Sequence, residues 1–256
     1  MSCLCPWFRS SKPLLEYSLI DAKVPESLFS KSKKALEIEF GELRRKSPHI
    51  EYALFSADHC LGRSLIVSQA PESDNIDHFL KLAYDNADVI IMLMQTVDYK
   101  HAPHLTPYLK DNELLVTSSY SVWREIVQQT DCFIESAIKI TPSKDGMPSK
   151  TITHFHHDHW IDGSGGQPKQ IAELARIALQ AKKPMIHGVR GLGRAGTLAA
   201  VIGAYRKIKG GNHSPHVIKD AVMALRRERP GCVFRHEQYQ SVYETVKILL
   251  EEDGLI

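Results

Sequence analysis

No apolar run in these 256 residues is long enough to span a bilayer as a helix. Cysteine is sparse: Cys3, Cys5, Cys60, Cys132 and Cys232 make an odd, scattered set. That excludes a disulfide framework and fits a reducing, cytoplasmic compartment, in the chain's own cell or in another into which it is delivered. The start, Met1 to Phe8, lacks the basic, apolar and small-residue order of a signal peptide. Excess charge of one sign is missing too. The formal net charge is +2, and no Lys/Arg block suggests a nucleic-acid partner. The local clusters Arg44-Arg45-Lys46 and Arg226-Arg227 with Arg229 read as solvated helix faces, or as a basic rim for an anionic ligand. Repeats and low-complexity segments are absent. Membrane contact is expected only if Cys3 or Cys5 is acylated; otherwise residues 1–25 read as an untethered arm.

What is present is one sizeable domain, expected over residues 26–256. Its most informative stretch runs from Ile186 to Thr197. A short apolar strand, Pro184-Met185-Ile186, leads into His187-Gly188, and an apolar helix begins near Thr197. Between them lie Val189, Arg190, Gly191, Leu192, Gly193 and Arg194. A glycine-bearing turn in front of a helix N-terminus points successive backbone N–H groups inward and binds a phosphate or similar oxyanion. Arg194 adds a planar fork that matches two phosphate oxygens.

Around this turn the pattern predicts an α/β chain. Helix is expected from Glu26 to Arg45, from Asp77 to Asn86 and from Gln170 to Lys182, with closing helices over Thr197–Lys207, His216–Arg227 and Gln238–Glu251. Leu61–Ala70 reads as a strand or hairpin. Val89-Ile90-Ile91-Met92-Leu93-Met94 reads as a strand buried on both faces. Leu114–Ile140 suggests antiparallel strands, and Thr151-Ile152-Thr153 leads into another.

The loop His187-Gly188-(five residues)-Arg194 resembles the signature of cysteine-dependent protein tyrosine phosphatases, with Gly188 where that family has its attacking cysteine. Further segments follow in the family's order. Trp160-Ile161-Asp162-Gly163 resembles its mobile acid loop, with Pro168 closing it and two extra residues within Gly163–Gln167. His236-Glu237-Gln238-Tyr239 resembles its water-positioning loop, and Leu65–Pro71 with Phe79 and Val89–Leu93 its upstream segments. The resemblance covers roughly residues 35–250. It implies a central twisted mixed sheet flanked by helices and no metal or organic cofactor. It also implies roles. Asp162 is general acid, then base; Arg194 is the transition-state clamp; the amides of Val189 to Gly193 hold the phosphoryl oxygens; and Gln238 orients water. His187, Trp160 and Ala195 are supporting positions, and Tyr52 is a candidate for the pocket wall.

Several departures qualify that picture. Gly188 supplies no nucleophile, Ile161 replaces the loop proline, and Ala195 replaces a hydroxyl that assists the thiolate as leaving group. The resemblance therefore implies a protein that binds phosphorylated partners, phosphotyrosine first among them, and is dead or impaired in turnover. The alternative is an active parent whose cysteine has been changed to Gly188. A rival pattern is His154, His156, Asp158 and His159, which resembles the zinc-binding motif of metallo-β-lactamase-fold hydrolases.

Overall fold

The computed structural model describes residues 23–47, 56–109 and 113–256. The expectations for Cys3, Cys5 and Tyr52 lie outside those residues. In chain order, a 3₁₀ turn (Glu26–Phe29) and α1 (Lys33–Lys46) precede β1 (Ala57–Cys60), β2 (Leu65–Gln69), α2 (Ile76–Asn86), β3 (Val89–Met92) and α3 (Thr96–His101). Then come β4 (Leu115–Val116), β5 (Tyr120–Gln129), β6 (Ile134–Pro142), β7 (Lys150–His156), α4 (Pro168–Gln180) and β8 (Pro184–Gly188). Helices α5 (Arg194–Lys209), α6 (Val217–Glu228) and α7 (His236–Glu252) finish the chain.

One mixed sheet runs in the order β1-β2-β8-β3-β7-β6-β5-β4. Its centre, β2-β8-β3-β7, is parallel. The remaining pairs are antiparallel. β3 and β8 are wholly buried, which is why β3 and the start of β8, Pro184-Met185-Ile186, read as apolar runs rather than alternating ones. One face packs on α1 and α4 to α7; the other is covered by α2 and a layer holding Leu105 and Tyr108. This is the α/β architecture expected.

Helix α5 sits at the middle of the helical layer and has no charged side chain between Ala195 and Tyr205. Its residues Arg194 to Tyr205 are all buried, as an all-round apolar helix must be. Gly196 brings it against the 230s turn, where a β-carbon would stand 3.0 Å from Cys232 Sγ. The helix that carries Arg194 is therefore fixed on every side.

Two expectations need correction, and one helix was not expected. The helix expected over 26–45 is broken at Ser30–Ser32, because Ser32 Oγ accepts the Ala35 N–H at 3.2 Å and starts a new helix there. Helix α3 had no apolar periodicity to announce it; Asp98 caps it by accepting the Gln95 N–H at 2.8 Å. Val24, assigned to the loose arm, is buried and donates to the Leu255 carbonyl at 2.9 Å.

Candidate functional site

The site forms at the carboxyl ends of the parallel strands, where an open α/β sheet places its ligands. β8 ends at Gly188, whose carbonyl accepts the Ala70 N–H at 2.8 Å. Val189 to Gly193 then turn into α5. Gly191 takes φ +65°, and a β-carbon there would strike the Ser68 carbonyl and lie 2.8 Å from Arg229 Nη2. Only glycine fits. Gly188 is different: its φ is outside the left-handed region, and a β-carbon would meet only the Leu93 carbonyl oxygen, at 3.3 Å. Backbone geometry does not demand glycine at 188.

Arg194 is almost fully buried at the first position of α5. Its Nη1 donates to Asp98 Oδ2 at 2.7 Å and to the Trp160 carbonyl at 3.1 Å. Its Nη2 lies 3.2 Å from Asp162 Oδ1 without a hydrogen-bonding alignment. The guanidinium is thus oriented by a buried carboxylate on one side and met by the exposed Asp162 on the other. Asp98 was not foreseen. Its only sequence signal was its place just after the buried β3 run, near the strand's carboxyl end.

Trp160 is buried, and its indole N–H donates to the Ser164 carbonyl at 3.1 Å. Gly166, at φ +76°, packs on the indole, where a β-carbon would stand 2.6 Å from Cε2. Gly166 thus lets the loop from Trp160 to Pro168 fold over its own tryptophan, while Ile161 and Asp162 face solvent.

The Arg226–Arg229 cluster is not a solvated face. Arg227 is exposed, but Arg226 and Arg229 are buried. Arg229 donates to the carbonyls of Gly191 and Arg190, each at 2.9 Å, and pairs with Asp58 at 2.6 Å. It supports the turn from beneath. Arg190 is exposed and Ala195 buried.

Gln238 is buried beside the turn: a β-carbon on Gly193 would lie 2.9 Å from its Nε2. Its Oε1 accepts the N–H groups of Phe234 and Arg235, at 2.9 and 3.1 Å, and so caps α7. The oxygen is engaged in capping, so only the amide N–H₂ is left to act at the turn.

His187 is buried and joined through Tyr108 Oη to His154, with Oη 2.8 Å from His187 Nε2 and 2.9 Å from His154 Nε2. The hydroxyl has one proton, so it donates to one ring and accepts from the other. Burial holds the His187 pKa down at about 3, and burial also pushes His154 well below the ordinary value. Both rings are neutral when folded, whereas the unfolded chain protonates near pH 6.5. Their contribution to stability is complete above the unfolded value and is lost as pH falls below it. Urea unfolding at about pH 5 should therefore show a loss of roughly 2 kcal/mol per buried histidine relative to about pH 7. An unchanged midpoint would contradict neutral burial of these rings.

The zinc reading fails on geometry. His154 is spent on Tyr108, His156 lies 2.8 Å from the Met94 carbonyl through Nε2, and Asp158 lies 3.3 Å from the exposed His159. Asp158 and His159 lie past the end of β7 at His156. Among the described residues no three His, Cys, Asp or Glu side chains are grouped to hold a metal. Nor does any described helix have the length and apolarity to cross a membrane. Cys60, Cys132 and Cys232 are unbridged and buried.

These features together define a glycine-bearing turn before a helix N-terminus, with the buried Arg194 beneath the loop that carries Asp162. Residues 45–247 match the family profile described as protein-tyrosine phosphatase, and the chain belongs to that family. Tyrosine phosphatase H3 of Microplitis demolitor bracovirus is 24% identical over 203 residues, covering 74% of this chain and 62% of that protein. The mouse tyrosine-protein phosphatase non-receptor type 20 is 24% identical over 199 residues, covering 73% of this chain and 44% of that protein. The chain thus matches less than two thirds of either relative's length. In fold it is similar to the Trypanosoma brucei phosphatase TbPTP1, with TM-score 0.74 and 20% identity over 91% of this chain and 98% of that one. It is also similar to PTPN18 in complex with HER2-pY1196 phosphopeptides, with TM-score 0.66 and 21% identity over 78% and 72% of the two chains.

Proposed function

We propose that this chain binds phosphorylated protein segments, phosphotyrosine foremost, and holds them without turnover. The observation that carries the reading is the pairing of the glycine turn and the buried Arg194 with Gly188. The turn, its Arg229 support and the Asp98-oriented Arg194 are all in place, while Gly188 itself brings no side chain to attack phosphorus. Losing a thiolate costs the holding function little, since backbone amides and Arg194 grip the phosphoryl oxygens, and it removes a negative charge facing a dianion. A similar structure, PTPN18, is titled as a complex with phosphopeptides, which supports the ligand class.

In this reading Asp162 opposes the ligand. Its carboxylate lies against the arginine that the phosphate needs and carries the same sign of charge. Asp162→Asn should tighten binding of a phosphotyrosine peptide by about fivefold near neutral pH, the ~1 kcal/mol scale of an exposed charge interaction. Calorimetry would show this, alongside an assay confirming no phosphate release by the unaltered chain. Weaker binding by the Asn variant, or steady hydrolysis by the unaltered chain, would defeat the reading.

A further inference from the structure

The turn between α6 and α7 is built in a way that the site described so far does not require. Val233 adopts φ +58°, in the left-handed region that a β-branched residue strongly disfavours. Such strain persists only where the surroundings enforce it. Here they do. Buried Arg226 donates to the Cys232 and Val233 carbonyls, each at 2.7 Å. The Val233 N–H donates to the carbonyl of Leu192, within the phosphate turn, at 2.9 Å. The Phe234 N–H is taken by Gln238 Oε1.

What this strained turn presents is the side chain of Phe234. Phe234 is 38% exposed, although it follows two fully buried residues. The Arg235 guanidinium lies 5.4 Å from its centroid, and the same arginine reaches the acid loop, where a β-carbon on Gly163 would stand 4.0 Å from Nε. Phe234 is therefore placed between the phosphate turn, through Val233 and Leu192, and the acid loop, through Arg235 and Gly163. A phosphate held in the turn puts whatever it esterifies at this rim.

The geometry points to Phe234 as a specificity-determining residue, an aromatic platform for the ring of an aryl phosphate. This rests on the phosphate-binding reading and deepens it by naming the residue that selects the aryl ester. An aryl ester gains ring contact with Phe234, whereas a seryl ester places only a short alkyl chain there.

The test uses the full chain with three probes: a phosphotyrosine peptide, the same peptide with phosphoserine, and inorganic phosphate. Phe234→Ala should weaken the phosphotyrosine peptide about tenfold and leave the other two within about twofold, while Phe234→Tyr should keep the preference. Unchanged phosphotyrosine affinity in Phe234→Ala overturns the proposal, as does an equal loss for all three probes, which would mean that Phe234 merely shapes the turn. If the unaltered chain binds none of them, the phosphate-binding reading fails by itself. Selectivity is then read in the Gly188→Cys background as the ratio of kcat/KM for phenyl phosphate over an alkyl phosphate. Phe234→Ala must lower that ratio, and a chain with no aryl preference there overturns the inference.

Discussion

Gly188→Cys should convert the chain from a phosphate binder into a phosphatase. The argument begins with space. A β-carbon at 188 meets one backbone oxygen at 3.3 Å, and the residue's φ suits any side chain, so the cysteine enters with a shift of a few tenths of an ångström. The new sulfur stands at the mouth of a turn whose amides and helix N-terminus stabilise a thiolate. Arg194 adds a fixed positive charge nearby, held by Asp98. The thiolate attacks phosphorus, Asp162 protonates the leaving phenol, and the resulting carboxylate activates water against the phosphocysteine. Release of phenol from phenyl phosphate should rise by orders of magnitude over the unaltered chain and fall again by about 10²–10⁴-fold in Gly188→Cys/Asp162→Ala, the usual range for a lost acid–base catalyst. Correct folding with no gain in release would mean that the site has lost more than its nucleophile. Ile161 and Ala195 would then be the first places to look, since each departs from the family pattern.

Most of the fold could be read from residues because its signals were local. The apolar runs of β3 and β8 and the helical spacing of α2, α4 and α6 depend on which faces are buried, and periodicity reports that directly. The turn from Val189 to Arg194 was legible for a related reason: Gly191 has to be glycine, and sequence shows glycine plainly. What escaped was set by tertiary partners. Asp98 looks like any surface carboxylate until β3 and β8 lie side by side and bring it to Arg194. Arg226 and Arg229 look like a charged helix face until their carbonyl partners are known. Gln238 was given to water, but its oxygen closes a helix end that only the structure exposes. The run His154 to His159 carries metal-ligand residue types, yet Tyr108 claims His154, the Met94 carbonyl claims His156, and no group of three forms among the described residues.

Arg194→Ala should produce two losses that can be separated. The first is binding. Charged hydrogen bonds contribute about 1.5–3 kcal/mol each, so removing a two-pronged clamp should weaken a phosphotyrosine peptide by at least roughly 100-fold. The second is stability, and its cause is Asp98. That carboxylate is buried, and without Arg194 it keeps only the Gln95 N–H among the bonds made by its Oδ2. Breaking a buried pair by removing one partner typically costs about 3–5 kcal/mol, because the remaining charge has no compensation. Asp98→Asn in the same chain removes that charge, so the double variant should regain much of the lost stability in urea unfolding while binding stays absent. The two measurements distinguish the roles. Recovery of stability without binding assigns Arg194 to the ligand and Asp98 to holding Arg194. Recovery of both would place the phosphate elsewhere. Failure to recover either would show that Arg194 supports the turn mainly through the Trp160 carbonyl, and that the acid loop, rather than α3, fixes the clamp.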